Sequence, residues 1–434
     1  MVVTIVVLLI LAGVTISLLL DENGIIKKSK DARREYGQAK ANEQEDLSNL
    51  SDMIDEATAE PTPKVDVNTK AGENSTINGK KGNSNNPTIP KGYIPIDTAT
   101  STWGDGSTAP SQDSVNHGLV IKDEQNNEWV WVPVDKGTLA TMYEESSDEK
   151  TLCGTTGETA VKTKLYSKSI TIGTDSNKTT MSRTTPGTST SGSYREPDLV
   201  VGDDGIGYDA KEKYYKTILG FESKDKMAEA FVAEYKEMIE SVSKYGGFYI
   251  GRYELSESGV KKDQPTLTNT NWYNLYKKCK ELKASNKVET RMIWGCQWDV
   301  TMNWLISSGA KTSNEVNTDS SSWGNYNNTV VKADDGTTEI KASGTSSSSK
   351  LNTGKTTFTM ANNIYDLAGN VSEWTQEASN TDTSGRASRG GGYCHDGSLN
   401  PASNRFSYTP GYSVFDYLRF SSYFNNKVTL DSRA

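Results

Sequence analysis

At 434 residues, with 34% hydrophobic residues, a mean hydropathy of −0.64 and long Ser/Thr/Gly/Asn tracts, the chain has material for one substantial core plus a stalk. A formal net charge of −9 offers no basic footprint for phosphate backbones and argues against nucleic acid as a partner. Two histidines, His117 and His395, and four cysteines without a CxxC pair, Cys153, Cys279, Cys296 and Cys394, argue against a His-based metal site, a Ser/His/Asp triad, structural zinc and thioredoxin-type chemistry.

No charge interrupts the apolar run from Val2 to Leu20. At about 1.5 Å per residue it spans roughly 28 Å, close to a bilayer's hydrocarbon thickness, so residues 1–20 are expected to form a transmembrane or pilin-like helix. Residues 21–59 carry charges of both signs with few breakers and read as a polar helical extension. The pair resembles the N-terminal helix of type IV pilin-like proteins of Gram-positive bacteria, in which a prepilin peptidase cuts after the glycine ending a basic leader; this chain begins at Met1, inside the apolar run. The resemblance implies a membrane anchor, an extracellular location on a bacterial cell surface or pilus-like fibre, and other pilin-like subunits as partners. Residues 60–115 are rich in Pro, Thr, Asn, Gly and Ser, and are expected to be a disordered linker.

The folded domain is expected over 116–434. GLVIKDEQNNEWVWVPV, from Gly118, reads as a hairpin, with Val120, Trp129, Trp131 and Val134 flanking a polar turn. Gly247–Leu255, GFYIGRYEL, reads as a second strand region. Between them, 135–245 is taken as an insertion containing a Ser/Thr-rich tract and an amphipathic helix near Ser223–Ser243. Two further helices are expected at Asn271–Ala284, with Trp272, Leu275, Tyr276, Cys279 and Leu282 on one face, and at Gln297–Ser307, where Trp294, Trp298, Met302 and Leu305 form a buried stripe. Residues 312–354 are of low complexity and are expected to be a surface insertion.

Three C-terminal pieces follow: NIYDLAGNVSEWT from Asn363, RASRGGGYCHDGS from Arg386 and DYLRFSSYF from Asp416. Their order and spacing resemble formylglycine-generating-enzyme-like (sulfatase-modifying factor) domains. The resemblance implies an α+β, C-type-lectin-like fold, of which many members bind ligands without catalysis. In the oxidase branch two nearby cysteines hold copper, as soft Cu(I) prefers thiolates. Here Cys394 has no second cysteine after it, so the expectation is no enzyme, with a copper oxidase using Cys394 or a structural minor pilin as the alternatives. The family's GNvwEW loop often holds structural calcium, which on this chain implies Asn370, the Val371 carbonyl and Glu373 as ligands, a hard-oxygen set.

From Gly390 to Leu418 there is no Lys, Gln, Glu, Met or Trp. Those five residues are unreachable if adenines of ancestral asparagine codons are replaced while the final pyrimidine stays. This is similar to the variable proteins of diversity-generating retroelements, which display such residues on a C-type-lectin-like scaffold. The expected contacts to a protein or glycan ligand are Tyr393, Cys394, His395, Ser398, Leu399, Phe406, Ser407, Tyr408, Tyr412, Val414, Phe415, Asp416 and Tyr417.

Overall fold

A computed structural model describes residues 75–76, 83–96, 115–174, 179–188, 190–200, 214–282, 288–344, 350–379, 385–411, 420–422 and 424–428. The apolar helix expected over 1–20 and the extension over 21–59 lie outside these residues, and among the described residues no helix is long and apolar enough to cross a membrane. The described part belongs to one compact unit, Lys64–Ala434, and is mixed α/β with more sheet than helix.

In chain order the strands of the two main sheets are β1 (Ile94–Ile96), β2 (Val120–Lys122), β3 (Glu128–Pro133), β4 (Ile170–Thr174), β5 (Thr180–Arg183), β6 (Ser193–Arg195), β7 (Gly247–Gly251), β8 (Val288–Met292), β9 (Ser372–Ser379), β10 (Gly385–Arg389), β11 (Arg405–Tyr408), β12 (Phe420–Ser422) and β13 (Phe424–Val428). The six-stranded sheet runs β8-β13-β7-β3-β2-β1 and is antiparallel throughout. The seven-stranded sheet runs β11-β10-β9-β6-β5-β4, with β12 pairing β9 in parallel. Because β12 and β13 are separated only by residue 423, the end of the chain joins one sheet and then the other.

β2 and β7 pair both edges of β3, and its WVWV run is buried on both faces, with Trp129 and Trp131 on one side and Val130 and Val132 on the other. At Gly247 of β7, a Cβ would sit 2.4 Å from the Trp131 ring, so the close approach of the two strands requires glycine there.

Three helices cover the sheets: α1 (Lys224–Tyr245), α2 (Trp272–Glu281) and α3 (Gly295–Ser307). α1 starts where the Ser223 hydroxyl accepts Lys226 N–H and ends at the left-handed Gly246. Its buried side, Met227, Phe231, Tyr235, Met238 and Val242, recurs at three- and four-residue spacing, as the sequence predicts. The predicted stripe of α2 is buried at Trp272, Leu275, Tyr276 and Cys279, and that of α3 at Trp298, Met302 and Leu305. The N-terminus of α3 is closed by a distant side chain: the Glu196 carboxylate accepts the N–H groups of Gly295 and Cys296, at 2.7 Å each. Its oxygens thereby satisfy two of the N–H groups that the first turn of a helix leaves without an intrahelical partner.

Three boundary expectations are corrected. Within the linker expected over 60–115, residues 83–96 are folded: Ile89, Tyr93 and Ile96 are buried, Trp131 Nε1 donates to Ser84 O at 3.0 Å, and β1 edges the six-stranded sheet. Few apolar residues suffice for an edge strand, so composition hid it. Residues 135–245 are no appendage, since β4, β5 and β6 extend the sheet that holds the C-terminal motif and α1 packs into the core. Nor is 312–354 only surface loop: Trp323 and Tyr326 are buried, and the Lys341 ammonium donates to the carbonyls of Tyr326 and Thr329.

Candidate functional site

β11 is the outermost strand of the seven-stranded sheet, and its residues alternate. Arg405 and Ser407 are buried, while Phe406 and Tyr408 are half-buried on the opposite face. Their rings stack with centroids 4.9 Å apart and planes 19° apart. Behind them the fully buried Trp374 of β9 meets Tyr408 edge to face at 6.3 Å. Burial, and then the neighbouring Cys394, push the Tyr408 phenol well up, so it presents a neutral hydroxyl.

The inward side of the strand is fixed by charge. Arg183, Arg389 and Arg405 converge on Glu377, Asp299 and Glu196. Arg183 reaches Glu377 at 2.5 Å and Asp299 at 2.9 Å; Arg389 reaches Asp299 at 2.8 Å; Arg405 reaches Glu377 at 3.3 Å and also bonds Asp299. One helix residue, Asp299 of α3, thus ties β5, β10 and β11 together. The network sets three guanidinium groups against three carboxyl groups, of which Glu377 and Glu196 are fully buried, and Arg's planar fork suits multiple carboxylates.

The loop from Gly390 to Asn404 is as firmly held. Gly390 and Gly391 have φ of +81° and +72°, and a Cβ would meet Glu373 Oε2 and Asn400 O at 2.5 Å each. Tyr393 N–H donates to Asn370 O at 2.8 Å, His395 O accepts Asn327 N–H at 2.9 Å, and Ala402 O accepts Trp298 Nε1–H at 3.1 Å. In the turn that follows, Asp396 Oδ1 accepts Ser398 N–H and the Ser398 hydroxyl, which leaves Leu399 48% exposed at the tip.

Ser398 and Leu399 are therefore presented to solvent, and Cys394, His395, Phe406 and Tyr408 partly so. Burial pushes the His395 imidazole below its ordinary 6.5, so it is neutral at pH 7. Tyr393, 3% exposed, and Ser407, 8% exposed, face inward and are corrected to framework residues. Tyr412, Val414, Phe415, Asp416 and Tyr417 lie outside the described residues. Composition gave no sign of Asp299 as the residue that ties Arg389 and Arg405 together behind the strand.

Of the residues expected to bind calcium, Asn370 is engaged by protein groups. Asn370 Oδ1 already accepts Asn325 Nδ2–H at 2.9 Å and Leu351 N–H at 3.0 Å, using both lone pairs. Its Nδ2 donates to Glu254 at 2.6 Å, and Val371 N–H donates to the other Glu254 oxygen at 3.0 Å. Glu373 is fully buried beside Gly390 and Tyr326. Among the described residues no group of three or more His, Cys, Asp or Glu is arranged to hold a metal. Asn370 is thus a crosspiece between loops.

None of the four cysteines is in a disulfide. Cys279 is buried on α2, as expected from its place in the stripe. Cys296 is buried 3.9 Å from the Tyr235 hydroxyl, and burial, then Glu196, push its thiol well up. That is the environment of a packed thiol rather than a reactive thiolate.

The acid under the Asn370 loop sets up a pH test. Burial, then the Asp366 carboxylate, push Glu254 well above the usual carboxylate range, and its donors Thr266, Val371 and Asn370 pull it back only in part. A folded-state pKa above the unfolded value means stability that is present at low pH and lost as pH rises through the folded pKa. Relative to Glu254→Gln, which cannot ionise, the wild-type protein is therefore expected to gain stability from pH 8 to pH 5, read from urea midpoints at the two pH values.

No protein family and no curated protein matches the chain. Among solved structures, Treponema denticola variable protein 1 is similar at 13% identity, over 70% of this chain and 96% of that one, with a TM-score of 0.25. So remote a likeness carries no weight for fold or function.

Proposed function

We propose that this is a non-enzymatic, membrane-anchored surface protein that binds a protein or glycan ligand through the face built on residues 393–417. The observation that supports it most is the stacked Phe406–Tyr408 pair, half-exposed on an edge strand whose other side is locked by Arg405. Rigid aromatics give contact area at little entropic cost, and a prepaid frame spares the ordering that binding otherwise requires. The scaffold reading is C-type-lectin-like, supported by the three C-terminal motifs; the anchor is the apolar run Val2–Leu20. Exposed positions between framework glycines, Asn404 and Arg405 also suit a diversified surface, in which side chains change while the backbone stays fixed.

Deep sequencing of the gene's 3′ end and its flanks, in a population of source cells, tests the diversified form. The expected result is variation confined to adenine-derived positions between Tyr393 and Tyr417, sparing Arg389 and Arg405, beside a near-identical template and a reverse transcriptase. An invariant 3′ end without a template sinks diversification and leaves an adhesin of fixed specificity.

A further inference from the structure

A second surface is built from elements other than those of the 393–408 face. The hairpin formed by Tyr143–Thr151 and Lys162–Ser167 packs beside α1, and the two leave a groove of about 580 Å³. In a chain of net charge −9, its walls carry four lysines, Lys162 and Lys164 from the hairpin and Lys236 and Lys244 from α1. Its acids are Glu145 and Glu240. Lys236 meets Glu240 at 3.7 Å and Lys162 meets Glu149 at 3.9 Å, but both pairs are more than half exposed, so neither neutralises its lysine firmly. Between the lysines, Leu165, Val232 and Ile239 line an apolar floor.

We propose that this groove docks an acidic, amphipathic helical segment of a partner protein. The charge complementarity sets the sign of the partner. The apolar floor between the charged walls favours a polypeptide over an anionic glycan, because a helix can offer apolar residues at three- and four-residue spacing flanked by carboxylates, and a sulfated sugar cannot. The α1 wall from Val232 to Lys244 is about 18 Å long, room for roughly three helical turns.

The test is fluorescence anisotropy with full-length protein and a labelled 16-residue synthetic peptide, in which Leu recurs at three- and four-residue spacing and Glu fills the flanks. A scrambled peptide of the same composition and a labelled heparin fragment are the comparisons. Binding of the patterned peptide is expected, weakened about ten-fold by the combined Lys162→Gln, Lys164→Gln, Lys236→Gln and Lys244→Gln variant and also weakened by salt. These lysines are exposed, so the variant is expected to keep its unfolding midpoint, and Tyr408→Ala is expected to leave peptide binding unchanged. Equal binding of the scrambled peptide, preference for heparin, no peptide binding, or binding indifferent to the four substitutions would each overturn the proposal.

Discussion

Glu377→Ala is expected to lower the unfolding free energy by about 3–5 kcal/mol, the range for removing one partner of a buried ionic group and leaving the others uncompensated. Glu377 is fully buried and accepts from Arg183 at 2.5 and 3.1 Å and from Arg405 at 3.3 Å. Without it three guanidinium groups face only Asp299 and Glu196. Burial alone would push the Glu377 carboxyl up, but Arg405, Arg183 and Arg389 together hold it below its ordinary range. A depressed folded pKa gives stability that is present above the unfolded value, about 4.3, and lost as pH falls toward the folded one. Acid should therefore weaken the wild-type protein below about pH 4 and weaken Glu377→Ala less over the same interval. Glu254 has the opposite sign, so the two carboxylates give opposite pH slopes when each is compared with its own neutral variant. Urea titrations from pH 3 to pH 8 measure both; a Glu377→Ala cost under about 1 kcal/mol would mean that the arginines find water or other acceptors at little expense.

The three long helices were legible because their side chains obey a local period. Trp272, Leu275, Tyr276 and Cys279 are all buried where a 3.6-residue repeat puts them. The strand with Trp129 and Trp131 was legible for a similar reason, as a compact apolar run. By contrast β4, β5 and β6 are made largely of Thr, Ser, Gly, Tyr and Arg, and their inclusion in the sheet depends on backbone pairing with β9, more than 170 residues further along. The charged frame behind β11 was hidden by its chemistry. Arg183 and Arg389 look like surface residues in a sequence, and only convergence from separate segments makes them buried partners of Glu377 and Asp299. Asn370 was legible as a special position, an oxygen donor in a Gly-Asn turn, but its partners Asn325 and Leu351 come from separate segments that the sequence does not bring together.

Tyr408→Ala is expected to cost at least about 2 kcal/mol of binding free energy, roughly thirty-fold in Kd, for a ligand recovered by screening the full-length protein against arrayed proteins and glycans. Phe406→Ala should cost a similar amount. The two truncations should combine to less than their sum, since each removes the other's stacking partner. Tyr408 also packs partly against the core and Trp374, so its loss touches stability as well as contact area. Tyr408→Phe separates these roles: it keeps the ring and the Trp374 contact and removes only the hydroxyl, so recovery of binding in that variant assigns the loss to aromatic contact. Leu399→Ala, on a solvent-exposed turn tip, is expected to cost well under 1 kcal/mol of stability, and its effect on affinity shows whether the ligand extends over the Asp396–Asn400 turn. If Phe406→Ala and Tyr408→Ala both leave affinity unchanged while unfolding midpoints confirm folded protein, the ligand does not sit on β11 and the stacked pair is only an exposed margin of the core.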